Sequence, residues 1–108
     1  MRISELYVMI VEPSKVQRRI IENHLKAVGI SSIVGHGSGK DALKAAAEDT
    51  PDLLISALYL PDMSGADLLS QLRHDKHLKD VAFVLISSET QFRYLDPVKQ
   101  AGATAVLP

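Results

Sequence analysis

The chain has no cysteine, which excludes disulfides, thiolate nucleophiles and cysteine-held metals. No apolar run approaches the length of a membrane span, and Met1-Arg2-Ile3-Ser4 does not open a secretory signal. A cytoplasmic protein is therefore expected. Charge excess is also lacking. Twelve basic residues stand against 13 acidic ones, a net charge of −1, which argues against broad electrostatic binding to nucleic acid or to an anionic membrane. With 108 residues there is room for one domain and one core.

A phosphate loop is missing as well, although one stretch imitates it. Gly35-His36-Gly37-Ser38-Gly39-Lys40 is glycine-rich and precedes a helix. A P-loop needs four residues between its glycines, then lysine and a hydroxyl residue. Three intervene here, and Asp41 follows Lys40. Lys40 also stands where a dinucleotide fingerprint needs its third glycine. The stretch reads as a strand-to-helix turn. His74 and His77 sit in a polar connection, and His24 borders a helix stripe; none has the company a metal site needs.

What is present is a regular alternation. Hydrophobic content of 46% and charged content of 23% suit a soluble globular domain. Leu6–Val11 is continuously apolar and reads as a buried parallel strand. Ser14 caps a helix over Lys15–Val28 with Ile20, Ile21, Leu25 and Val28 inward, and Gly29 ends it. Ser32–His36 is a shorter strand. A helix from Ser38 or Gly39 to Asp49 turns Leu43, Ala46 and Ala47 inward. Asp52–Ala57 is the third strand, entered through Pro51. A helix over Ser64–His74 buries Leu68, Leu69 and Leu72. Val81–Ser87 is the fourth strand. A helical segment within Thr90–Ala101, with Phe92, Leu95 and Val98 on one face, is expected to kink or split at Asp96-Pro97. Ala103–Leu107 is the fifth strand.

Such alternation with short links predicts an α/β fold, a doubly wound parallel sheet in the order 2-1-3-4-5. That order brings the ends of strands one, three and four together. Glu12, Ala57 and Ser87 then meet in one shallow pocket, with Pro13 beside them. A methyl group, Ala57, stands where a reactive side chain is expected.

Six stretches carry a resemblance. They are the apolar first strand with its acid and Ser14; Gly39-Lys40-Asp41-Ala42-Leu43; Pro51-Asp52-Leu53-Leu54-Ile55-Ser56; Leu60-Pro61-Asp62-Met63-Ser64-Gly65; Val84-Leu85-Ile86-Ser87-Ser88-Glu89; and Ala101-Gly102-Ala103. In this order and spacing the chain resembles the receiver domain of bacterial two-component response regulators, a flavodoxin-like module. The resemblance implies a domain over residues 1–108 that lacks its fifth helix, as if cut from a longer protein. It also implies five working residues. Two acids after the first strand and an aspartate ending the third bind magnesium, and that aspartate accepts the phosphoryl group. A hydroxyl residue ending the fourth strand and a lysine after the fifth contact its oxygens.

Here the acid pair is Glu12-Pro13, the acceptor position is Ala57, the hydroxyl is Ser87, and the chain stops one residue short of the lysine. The family's switch aromatic falls on Val106. The reading is a degenerate pseudo-receiver, not an enzyme. Magnesium wants several hard oxygen ligands, so its binding is expected to be lost or very weak, and no other cofactor is implied. Pro13 and Val106 depart from the pattern too, which favours a native departure over an introduced substitution at Ala57. Expected partners are a histidine kinase, another receiver or an output domain. A homodimer through an uncovered face of strands four and five is a further expectation; nucleic acid and membrane are not. The alternative is an active phosphoacceptor that uses a displaced acid, Asp62, whose plain reading is a turn former. A flavin- or nucleotide-binding flavodoxin-like domain would need glycines where Glu12-Pro13-Ser14 stands.

Overall fold

The computed structural model describes residues 2–87 and 92–108. Five strands and four helices alternate: β1 Tyr7–Val11, α1 Lys15–Ala27, β2 Ser32–His36, α2 Gly39–Glu48, β3 Leu53–Ala57, α3 Gly65–His74, β4 Ala82–Ile86, α4 Phe92–Gln100 and β5 Ala105–Leu107. A 3-10 turn over Ile3–Glu5, not anticipated from sequence, precedes β1. All strand pairings are parallel and the order is β2-β1-β3-β4-β5, as the alternation predicts.

Pleating sends successive side chains to opposite faces, and the two faces are covered unequally. On one, Met9, Val11, Leu54, Phe83 and Leu85 pack under α2, α3 and α4 through Ala42, Ala46, Leu68, Leu69, Leu72 and Val98. Each fully buried leucine there contributes about 2 kcal/mol. On the other, Val8 and Ile55 meet α1 through half-buried Ile21 and Leu25. Val84 and Ile86 remain half-buried, and Leu107 is 48% exposed.

Helix ends follow their caps. Ser14 Oγ accepts from Gln17 N–H, Ser38 Oγ from Asp41 N–H, and Ser64 with Asp67 forms a reciprocal capping box. Gly29, at φ +100°, follows the last turn of α1. Arg73, near the end of α3, donates to Gly102 O (3.2 and 2.9 Å), Lys79 O (3.0 Å) and Val81 O (2.7 Å). One guanidinium thus ties α3 to the entry of β4 and to the turn before β5.

Three details depart from the sequence reading. Ile20 is 43% and Val28 63% exposed. Ile21 and Leu25 alone seat α1, and Val28 has already left the helix as its C-cap. In α2 the buried alanines are Ala42 and Ala46, while Ala47 is exposed. The inward row runs Gly39, Ala42, Ala46 at three- and four-residue steps, and Ala47 stands a third of a turn away. Finally, α4 continues through Pro97 as one helix. Asp96 does not cap a new helix there; its Oδ2 accepts from Gln100 Nε2 at 2.7 Å, one turn on. The predicted start of this segment at Thr90 lies outside the described residues.

Candidate functional site

The C-terminal ends of β1, β3 and β4 open into a pocket of about 650 Å³. Glu12, Ala57 and Ser87 line it together with Gln17, Leu58, Tyr59, Ile86 and Pro108. A pocket at the strand-order reversal of a doubly wound sheet is where such folds place their ligands.

Glu12 follows β1 and is held from several sides. Its N–H donates to His36 O at 2.9 Å. Its carbonyl accepts from Arg18 Nη1 at 2.6 Å, and its Oε2 accepts from Ser14 N–H at 2.5 Å. One carboxylate oxygen is therefore spent on the chain's own backbone. Pro13 is exposed and outside the pocket lining; its carbonyl takes a long contact from Arg18 Nη1, 3.4 Å. Ser87 is half-buried at the end of β4, and its N–H donates to Leu107 O at 2.9 Å.

Ala57 is the last residue of β3, half-buried, opposite Ile86 of β4. The loop leaving it is tightly closed. Gly65 N–H donates to Leu58 O at 2.6 Å, and Leu60 N–H to Met63 O at 3.0 Å. A Cβ on Gly65 would lie 2.5 Å from Ala57 O and 2.9 Å from Leu85 Cδ1, so only glycine lets α3 start this close to β3.

Asp62 is in the same loop, but it faces away from the pocket lining. Its Oδ1 accepts from Gly39 N–H at 2.9 Å and its Oδ2 from Lys40 N–H at 2.8 Å. Those bonds, Gly39's first, hold its pKa below the usual carboxylate value, with a smaller contribution from the Lys40 charge. The glycine-rich turn that imitates a phosphate loop does bind an anion at its helix N-terminus. The anion is this carboxylate.

Val106 lies in β5 opposite Leu85, half-buried against the main core. With Ser87, Leu95, Lys99, Leu107 and Pro108 it borders a smaller cleft of about 190 Å³. Among the pocket residues that the sequence reading did not name, Leu58, Tyr59 and Ile86 are chain neighbours of those it did. Gln17 is signalled by the cap, since its N–H binds Ser14 Oγ at 3.3 Å.

The donor set decides what the pocket can hold. Among the described residues that line it, Glu12 is the one acidic side chain. Among the described residues no three His, Asp or Glu side chains gather as metal ligands. A magnesium ion needs near-octahedral oxygen ligation, and the described lining residues by themselves do not fit it.

Residues 8–108 match the response regulator receiver domain. The chain belongs to the receiver family. The receiver is similar to the chemotaxis protein CheY of Pseudomonas aeruginosa, 30% identical over 95 residues that span 88% of this chain and 77% of that protein. It is also similar to histidine kinase P4 of Formosa agariphila, 33% identical over 96 residues, 89% of this chain and 7% of the kinase. Among solved structures, the chemotaxis response regulator CheY4 of Vibrio cholerae has a TM-score of 0.85 at 24% identity, covering 94% of this chain and 83% of that one. That likeness speaks to the fold alone. Receiver domains are modules of two-component signalling, and the fold here is theirs. Among the described residues no helix is long and apolar enough to cross a membrane.

Proposed function

We propose that this receiver works in two-component signalling through its surfaces, without phosphorylation at the usual position and without a magnesium ion. One observation carries the reading: Ala57, with no nucleophilic atom, ends β3 where the pocket opens between Glu12 and Ser87. No acyl phosphate can form on a methyl group. The orientation of Asp62 supports the same reading, because both of its oxygens are bonded to the start of α2. Partners of this module are a histidine kinase, another receiver or an output domain. A second copy is a further candidate, on the face where Val84 and Ile86 are half-buried and Leu107 exposed.

The test is incubation of the protein with acetyl phosphate and magnesium, followed by phosphate-affinity electrophoresis and intact-mass spectrometry. An unmodified mass is expected. An acid-labile adduct of one phosphoryl group, mapped to any residue of the pocket loops, would overturn the proposal.

A further inference from the structure

The sheet has two edge strands, and β2 is undefended. Ser32-Ile33-Val34-Gly35-His36 contains no Lys, Arg, Asp, Glu or proline. Its register with β1 is unbroken from Tyr7↔Ser32 to Val11↔His36, so no bulge turns the edge away. Charges, prolines and bulges are the usual protections of such an edge. His36 O faces β1, where it accepts from Glu12 N–H. Backbone groups alternate in direction along a strand, so Ile33 and Gly35 turn their N–H and C=O outward. Among the described residues nothing pairs with them. Gly35 is exposed, and a glycine within a strand often marks where another backbone approaches closely.

The space beside this edge is charged. A cavity of about 300 Å³ lies between α1 and β2, with Ile33 and Gly35 on its floor. Its charged walls are Lys15, Arg18, Arg19 and Glu22. Glu22 is engaged with Lys26 at 3.1 Å. The three cations make no ion pair among the described residues. Among the described residues the Arg18 guanidinium donates to the carbonyls of Glu12 and Pro13, and the side chain lies over Gly35, where a Cβ would sit 3.1 Å from its Cδ. In a chain of net charge −1 this is a local concentration of positive charge next to unpaired backbone.

We propose that the β2 edge takes an extended acidic segment of a partner protein as a sixth strand. Its backbone bonds Ile33 and Gly35, and its acidic side chains meet Lys15, Arg18 and Arg19. The spacing suits a strand. Lys15 and Arg19 are about 6 Å apart along α1 at 1.5 Å per residue, and alternate strand residues repeat at about 6.6 Å. Asp or Glu at every second position of the segment therefore faces the helix, while the backbone supplies affinity.

The probe is a short synthetic peptide alternating glutamate and threonine, titrated into the isotopically labelled full chain at low salt and followed by amide NMR. Saturable binding is expected, with the Ile33 and Gly35 N–H signals moving downfield and affinity falling as salt rises. Lys15→Glu with Arg19→Glu, both at exposed positions, should weaken binding at least about tenfold with the spectrum otherwise preserved. N-methylating alternate residues of the peptide should abolish binding, and so should exchanging its glutamates for lysines. Absence of binding would overturn the proposal. So would binding indifferent to N-methylation or to the charge reversals, or the same shifts in concentrated protein alone, which would make the occupant a second copy.

Discussion

Asp62 and Gly39 stand 23 residues apart, and the carboxylate of the first accepts the N–H of the second at 2.9 Å, with Lys40 N–H alongside at 2.8 Å. The loop that leaves the pocket is thus fastened to the start of α2. A side chain that sequence alone offers as a displaced phosphoacceptor caps the start of a helix far from it in the chain.

Its charge makes the contact pH-dependent. The folded-state pKa of Asp62 is depressed, chiefly by the Gly39 N–H. Its stabilisation is therefore complete above the unfolded carboxylate value of about 3.9 and fades as pH falls through the lower folded value. Asp62→Asn keeps one acceptor oxygen and loses the charge. It should lower the thermal midpoint at neutral pH, and the gap to the parent protein should close in acid. Thermal melts across an acid series, read by circular dichroism, test this. The same variant should leave the response to acetyl phosphate unchanged.

Gly65 and Gly39 both admit close neighbours, but of different kinds. A Cβ at Gly65 meets the backbone oxygen of Ala57, which cannot yield, whereas a Cβ at Gly39 meets the flexible side chain of Met63, whose Cγ lies 2.6 Å away. Gly65→Ala should cost about 2–3 kcal/mol, at the upper end of overpacking effects. Gly39→Ala should cost less and be partly rescued by Met63→Ala, giving non-additivity in a double-mutant cycle. Urea denaturation midpoints measure both.

Arg73→Ala should destabilise by about 2 kcal/mol, because three carbonyls lose a charged donor at once. Arg73→Lys should recover little of that, since one ammonium cannot span Gly102, Lys79 and Val81. The ordering Ala ≈ Lys, both well below the parent in equilibrium unfolding, is the expected result.

The pocket's donor set predicts a stepwise response to added carboxylates. Ala57→Asp gives two acids with Glu12, and should bind magnesium weakly. Ala57→Asp with Pro13→Asp adds a third acid from just outside the lining and should bind it more tightly. Isothermal titration with magnesium chloride would show this. Equal affinity in the two variants would mean that Pro13 does not stand at a ligand position.

The sheet was legible because its strands are short apolar runs closed by breakers, such as Pro51-Asp52 before β3 and Glu12-Pro13 after β1. Strand order followed from alternation, and the pocket's position followed from strand order. Helix faces were less legible. Ala42 and Ala47 are chemically alike, and only the sheet decides which of them turns inward. Ile20 reads as core from its spacing, yet Ile21 and Leu25 suffice to seat α1. Pro97 suggested a break that Asp96 would cap, but that carboxylate found Gln100 instead. The partners of Asp62 and the Arg73–Gly102 contact left no local trace, because those groups are 22 or more residues away for Asp62 and 29 for Arg73.

The fifth strand is three residues long, hydrogen-bonds to β4 alone among the described residues, and delivers Pro108 to the rim of the pocket. Its amides should exchange with solvent deuterium through small local openings, while those of β1 and β3 wait for the whole domain to come apart. Occupation of the pocket by any molecule would close that gap, so slowed exchange at Ala105 to Leu107 is a readout of binding that requires no knowledge of the ligand.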